Sequence, residues 1–433
     1  MNKTTLLTLI IACSSAWIAS LSAAEQRLLA SDGAAGDSFG CSVGISGDYA
    51  IVGASRDDDL GSSSGSAYVF YRVTIPREAY LQQAKLTASD GAAEDLFGHV
   101  VAISGDYAIV GARGDDDLGS SSGSAYVFHR DGTSWTEHQK LTADDGEEGD
   151  LFGYSVAISG NYAIVGACGD DDLGSSSGSA YLFRRAVSTD FWLLEAKLTA
   201  ADGDAADRFG DAVGITDDLA VVGADEDDDN GDCSGSAYVY RRDGTTWTQE
   251  AKLTADDGAS GDWFGGSIGI SGDRLVIGAV GDDDHGDLSG SAYVFRWLPS
   301  PAGWSQVAKL LTRDGKIRDL CGYAVAIAGD HVVVGCQKTE DPPEPGAAYG
   351  FRQDDAVWVL DGKVTAYDGE PFDLFGVSVA MSEDFFVIGA AQNDTNGVNA
   401  GAAYAYAWSE TDWWLFRDGF ETSDTSAWSA TVP

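Results

Sequence analysis

A nine-residue signature, D-G-x-x-x-D-x-F-G, runs through the chain seven times, with Phe39, Phe97, Phe152, Phe209, Phe264 and Phe375 in its aromatic position and Cys321 there once. Successive copies lie 58, 55, 57, 55, 57 and 54 residues apart. A period slightly above 50 that carries several short alternating apolar runs marks a propeller blade and not a helical solenoid, so seven copies predict seven blades. In the second copy, Val100 to Ser104 and Tyr107 to Ala112 flank a tight turn at Ser104-Gly105-Asp106. Ser124 to Phe128 then follows a polar loop, and Trp135 to Thr142 ends the unit. These runs are rich in Val, Ile, Tyr and Phe and none holds a helical period for long, which predicts four antiparallel strands per repeat and an all-β fold.

Six signatures are preceded by a strand with Lys85, Lys140, Lys197, Lys252, Lys309 or Lys363 five positions before the first Asp. Another copy of that strand, Arg27 to Ala30, stands ahead of the first blade and has no blade of its own. It is expected to complete the seventh blade, so that the ring closes and no long sheet edge stays open; Asp412 to Phe416 competes for the same place. The propeller is therefore expected over residues 25–414. Met1 to Ala24 reads as a signal peptide: Lys3, an apolar run from Leu6 to Leu21, and small residues before Glu25. That run is interrupted by Cys13, Ser14 and Ser15 and is short for a spanning helix of about 20 apolar residues, so no transmembrane segment is expected in the mature chain. Ile10-Ile11-Ala12-Cys13 offers a rival reading as a lipoprotein signal. Residues 415–433 break the period and resemble a short C-terminal segment of exported bacterial proteins; a sorting role and a plain polar end both fit.

With 69 acidic against 26 basic residues the formal net charge is −43, which excludes nucleic acid or anionic lipid held through a basic face. Much of the acid lies in five loops: Asp57-Asp58-Asp59, Asp115-Asp116-Asp117, Asp170-Asp171-Asp172, Asp227-Asp228-Asp229 and Asp282-Asp283-Asp284. In a four-stranded antiparallel blade these loops share one face with the D-G loops, while Arg72, Arg130, Arg184, Arg241 and Arg296 fall at the other end, so an electrically polarised molecule is expected. The second Asp of the signature, such as Asp95 or Asp150, persists in all seven copies and is read as a turn carboxylate accepting backbone N–H bonds. The signature Phe is read as blade-to-blade core. The triplets are absent from copies six and seven, which makes them the better functional candidates. Calcium suits the oxygens of D-D-D-L-G-S-S-S-G; plain solvation of an acidic surface accounts for the same residues.

Phe97-Gly98 followed by Ile109 to Arg113, repeated seven times, resembles the FG-GAP repeats of the integrin α-subunit propeller, and more closely their short bacterial variant. The resemblance implies a secreted or cell-surface module that binds an extracellular protein or glycan. The integrin-type D-x-D-x-D-G calcium loop is missing from its place, where this chain has only a turn such as Ser159-Gly160-Asn161. A structural matrix protein and a propeller hydrolase or lyase acting on extracellular polymers are the alternatives. Against the enzyme, His99, His129, His138, His285 and His331 occupy unrelated repeat positions and form no catalytic motif. In copy six, Cys321 replaces Phe and Cys336 replaces Ala. If the hairpin turns at Ala328-Gly329, residues whose numbers sum to 657 face each other, and a cross-strand disulfide between them is expected, with Cα atoms about 5.5 Å apart.

Overall fold

The computed structural model describes residues 25–74, 79–339 and 343–407, and among them there is no helix. They form seven four-stranded antiparallel sheets, six of which use their strands in simple sequence order. Blade two shows the plan: Val100–Ser104, Tyr107–Ala112, Ser124–Asp131 and Ser134–Leu141. The pairing Ser104↔Tyr107 makes the first hairpin turn two residues long, with Gly105 at φ 59°, the left-handed region glycine enters without strain. The second strand, Y-A-I-V-G-A, is buried along its whole length because sheets pack on both of its faces.

The seventh sheet is built differently. Its order runs from Phe375–Met381 through Phe385–Ala390 and Ala402–Ala407 to the N-terminal strand Gln26–Leu28. Arg27 pairs with Tyr404 and Leu28 with Ala403, so the ring closes on the strand the repeat pattern leaves over. Asp412 to Phe416, residues 1–24 and the tail 415–433 lie outside the described residues.

Blades are joined by the signature itself. Phe97 is fully buried among Ile51, Ala67 and Val69 of blade one and Val110 and Tyr126 of its own blade. Its N–H donates to Ser64 O at 3.0 Å, and Leu96 N–H to Ser63 O at 3.1 Å, which ties each blade's entry to its neighbour's loop. Gly98 has φ +87°, and a Cβ there would stand 2.2 Å from Ser66 O, so no other residue fits so close an approach. The residue before each aromatic position adopts a left-handed backbone in all seven blades, with φ between 51° and 58°, a conformation that costs a non-glycine residue about 1 kcal/mol or more.

Cys321 and Cys336 form a disulfide with Cα atoms 4.1 Å apart, closer than the 5.5 Å expected. The register reaches this pairing by another route than a turn at Ala328-Gly329. Ala328 pairs with His331, so the turn is Gly329-Asp330 and partners sum to 659; a bulge between Cys321 and Ala324 then shifts the sum to 657.

Candidate functional site

The D-G loops and the triplet loops do share one face, and there the triplets divide into three different carboxylates. In blade two, Asp115 is 4% exposed. Lys140 Nζ donates to Asp115 at 2.9 Å, to Asp117 at 2.6 Å and to Asp90, the first Asp of the signature, at 2.8 Å. The Tyr126 hydroxyl lies 2.8 Å from both Asp90 and Asp115, and its one proton serves one of them at a time. Blades one, three and five repeat the arrangement around Lys85, Lys197 and Lys309, and blade four keeps the lysine's three bonds around Lys252. Burial raises the carboxylate of Asp90, but the Lys140 and Tyr126 hydrogen bonds outweigh it and hold the group below its ordinary range. Burial likewise lowers Lys140, and its three carboxylates more than reverse that.

The expectation that the triplets are free of structural duty therefore fails for their first member. Copies six and seven show the substitution rules. In blade seven Asn393 replaces the buried Asp, its amide donates to Asp373 at 2.8 Å, and Arg27 takes the lysine's part with Asp368. In blade six the buried Lys338 ammonium pairs with Asp319 at 2.9 Å. Asp58, Asp116, Asp171, Asp228 and Asp283, the middle members, are exposed. The oxygens of Asp257, Asp282 and Asp284 come within 4.8 Å of one another, close enough for a shared metal ion. Lys309 Nζ already stands among them at 2.8, 2.6 and 2.8 Å, so calcium there would have to replace the ammonium.

The second signature Asp behaves as read from the sequence. Asp95 accepts Ala92 N–H at 2.6 Å and Asp150 accepts Glu147 N–H at 2.7 Å, while burial raises both carboxyls. At the far end the arginines do not make a positive face. Arg72 and Arg130 pair with Asp48 and Asp106, Arg184 with Glu195, Arg241 with Glu250 and Arg296 with Asp273, which removes most of the expected polarity.

The structure also collects residues that the repeat pattern passes over. The positions just before and just after the signature's F-G, and those following the second strand, converge on the propeller axis, where a cavity of about 640 Å³ opens. Its walls include His99, Tyr154, Arg208, Asp211, Asp225 and Trp263. Arg208 pairs with Asp211 at 2.9 Å and reaches Glu226 at 3.6 Å. The Arg113 and Arg208 guanidinium groups stand 5.4 and 5.5 Å from the Tyr154 ring centre. Oδ1 of Asp225 is buried without a hydrogen-bond partner among the described residues. Burial, then the negative charge of Asp211, pushes the Asp225 carboxyl up to about 7 against the opposing pull of Arg208. Burial, with Arg113 nearby, lowers His99 to about 4, so its ring is neutral at physiological pH. Burial pushes the Cys168 thiol up to about 12, which makes it unreactive. Six residue types, at Cys41, His99, Tyr154, Asp211, Gly266, Tyr323 and Val377, follow F/C-G in the seven copies, and this variation in an otherwise regular text is the signal that could have located the site. His285 lies out in a triplet loop and does not line this cavity, whereas the Cys233 carbonyl accepts the N–H of the lining residue Trp263 at 3.1 Å.

Similarity to known proteins agrees with the architecture. No curated protein matches the chain. Among solved structures, a chain of a mitotic checkpoint complex is 10% identical at TM-score 0.53, covering 94% of this chain and 100% of that one, which supports the fold and nothing further. Saccharomyces cerevisiae Sqt1 (10% identity, TM-score 0.47, 90% and 100% covered) and a putative 6-phosphogluconolactonase of Bacteroides fragilis (13%, 0.48, 72% and 79%) are too distant to carry an argument. The model of the FG-GAP repeat matches seven times, at residues 23–70, 80–128, 135–183, 192–240, 247–295, 304–351 and 358–406, and with these seven blades in one ring the chain belongs to the FG-GAP repeat family.

Proposed function

We propose that this protein is an exported binding module that holds an extracellular protein or glycan on the face carrying the D-G and triplet loops. The observation that carries the reading is the division of labour inside each triplet. The lysine neutralises the first and third carboxylates, while Asp58, Asp116, Asp171, Asp228 and Asp283 stay exposed with no lysine partner among the described residues. The fold thus maintains an arc of five uncompensated charges over blades one to five, and such a surface attracts cationic groups of a partner. Residues 1–24 with the features of a signal peptide, and a disulfide of the kind that persists in oxidising compartments, support export.

Two measurements test this. Purified protein on glycan and peptide arrays should show saturable, salt-sensitive binding that is lost when the five middle aspartates are replaced by Asn; turnover of a polymer substrate would replace the reading by a hydrolase or lyase, and neither result would leave a structural protein. Melting in calcium, magnesium and sodium at equal ionic strength separates a site-bound ion from screening. A calcium-specific rise approaching about 2.7 kcal/mol per site at a hundredfold excess over Kd would show the ion displacing the lysines.

A further inference from the structure

The axial cavity carries a second recognition chemistry, distinct from the arc of exposed aspartates around it. Of the charged side chains lining it, Arg208 bonds Asp211 and stands 3.6 Å from Glu226 with its own Nε lacking a hydrogen-bond partner among the described residues, and Asp225 keeps a buried carboxylate oxygen with no donor among them. A buried unsatisfied carboxylate oxygen is costly unless a donor or cation arrives to meet it. Among the described residues no such donor comes from the neighbouring blade, where Gly266 lies beside the Asp225 carboxylate and Val280 holds the position corresponding to Asp225, nor from Val377 of blade seven. The inner strands add Val156, Val213 and Ile268 to the lining, so an apolar surface lies close to the unmet carboxylate. A volume of about 640 Å³ is of the size that encloses a small organic ligand. The net charge of −43 favours entry of a cation over an anion.

We propose that the axial cavity binds a primary alkylammonium group, with the ammonium donating to Asp225 and the alkyl chain lying against the valine and isoleucine side chains of the inner strands. Two sources supply that chemistry: a free amine, or the lysine side chain of a protein ligand. The inference takes from the proposed function only the direction of approach. Its residues are not those of the outer arc, so either reading can fail while the other stands.

The test is titration calorimetry of the full chain with n-hexylammonium, with hexanoate, and with a blocked lysine (Nα-acetyl-lysine methylamide). At pH 8, n-hexylammonium should bind once per chain and hexanoate should give no saturable heat. Saturation by blocked lysine as well would assign the site to a protein's side chain; failure of blocked lysine alone would assign it to free amines. Asp225→Asn should weaken n-hexylammonium at least tenfold, whereas Asp116→Asn in the outer arc should leave it unchanged. Should Asp225→Asn fail to fold, wild type at pH 5.5 gives the same readout. Asp225, faced by Asp211, Arg208 and Glu226 with Arg113, Tyr154 and Cys168 behind them, is then protonated, and affinity should fall several-fold. Binding of hexanoate as tight as that of the amine, unchanged amine affinity in Asp225→Asn, or no saturable heat from either ammonium compound would overturn the proposal.

Discussion

Within one triplet, two neighbouring aspartates should differ severalfold in their effect on stability. Asp115→Ala removes a buried carboxylate that accepts from Lys140 at 2.9 Å, from Tyr126 at 2.8 Å and from Asp117 N–H at 3.2 Å. Hydrogen bonds to a charged group contribute about 1.5–3 kcal/mol each. Lys140 and Tyr126 keep Asp90 as a partner, so the loss is not the full sum. A cost of about 3 kcal/mol is expected, because the change strips a buried ion pair of one member and leaves the turn amide unmet. Unfolding entropy of about 2.1 cal/mol/K per residue, over a ring of about 380 residues, converts this into a Tm lower by about 4 °C. Asp116→Ala touches an exposed side chain and should stay within about 0.5 kcal/mol, under 1 °C. Asp115→Asn should fall between the two, since Asn393 fills the equivalent place in blade seven. Differential scanning calorimetry of the three variants in one buffer decides the matter. Equal Tm values for Asp115→Ala and Asp116→Ala would refute the assignment of the first triplet residue to the fold.

Two further outcomes follow from the geometry. Burial raises Asp225 from 3.8 to about 7, so the folded state holds this proton more tightly than the unfolded chain does; the group favours folding fully below its unfolded pKa, and that stabilisation is lost as pH rises through 7. The Tm of Asp225→Asn relative to wild type should therefore climb between pH 4 and pH 8, with a ceiling of about 4 kcal/mol at about 1.4 kcal/mol per pH unit, and a difference independent of pH would contradict the burial argument. Deleting Glu25 to Ser31 should lower Tm sharply by opening the seventh sheet, whereas deleting Phe420 to Pro433 should leave it unchanged; thermal melts of both truncations check this.

What could be read from the sequence was whatever each repeat states locally. Alternation and turn residues locate the strands of blade two to within about three residues, and the surplus Arg27 strand reveals the closure. Side-chain networks spanning three chain segments were not legible in the same way. Lys140 marks a strand in the sequence, and only the fold shows it gathering Asp90, Asp115 and Asp117. Tyr126 reads as a strand former, whereas its hydroxyl is part of the same cluster. Absence of the triplet from copies six and seven suggested dispensability, but Asn393 and Lys338 replace its interior role with other chemistry. The Cys321–Cys336 pairing was anticipated with the wrong turn, and the bulge supplied the missing shift. The axial residues were passed over because periodicity draws attention to what recurs, while the cavity is lined where the copies differ.

The closing strand also governs when folding can finish. Glu25 accepts a hydrogen bond from Tyr406, a partner 381 residues away, so the first residues of the ring have no sheet to join until almost the last have been made. Bringing ends that distant together costs an entropy on the order of 5 kcal/mol, by the logarithmic dependence on loop length, and that cost is met only in the final step. Six blades can assemble in turn as the chain emerges, each on its predecessor, but the seventh must recruit a segment that has waited throughout synthesis. A chain arrested anywhere before Ala402 would carry an open ring with bare sheet edges at both ends. The delay therefore keeps the ring open between its first and last blades until the final strand, Ala402–Ala407, has been made.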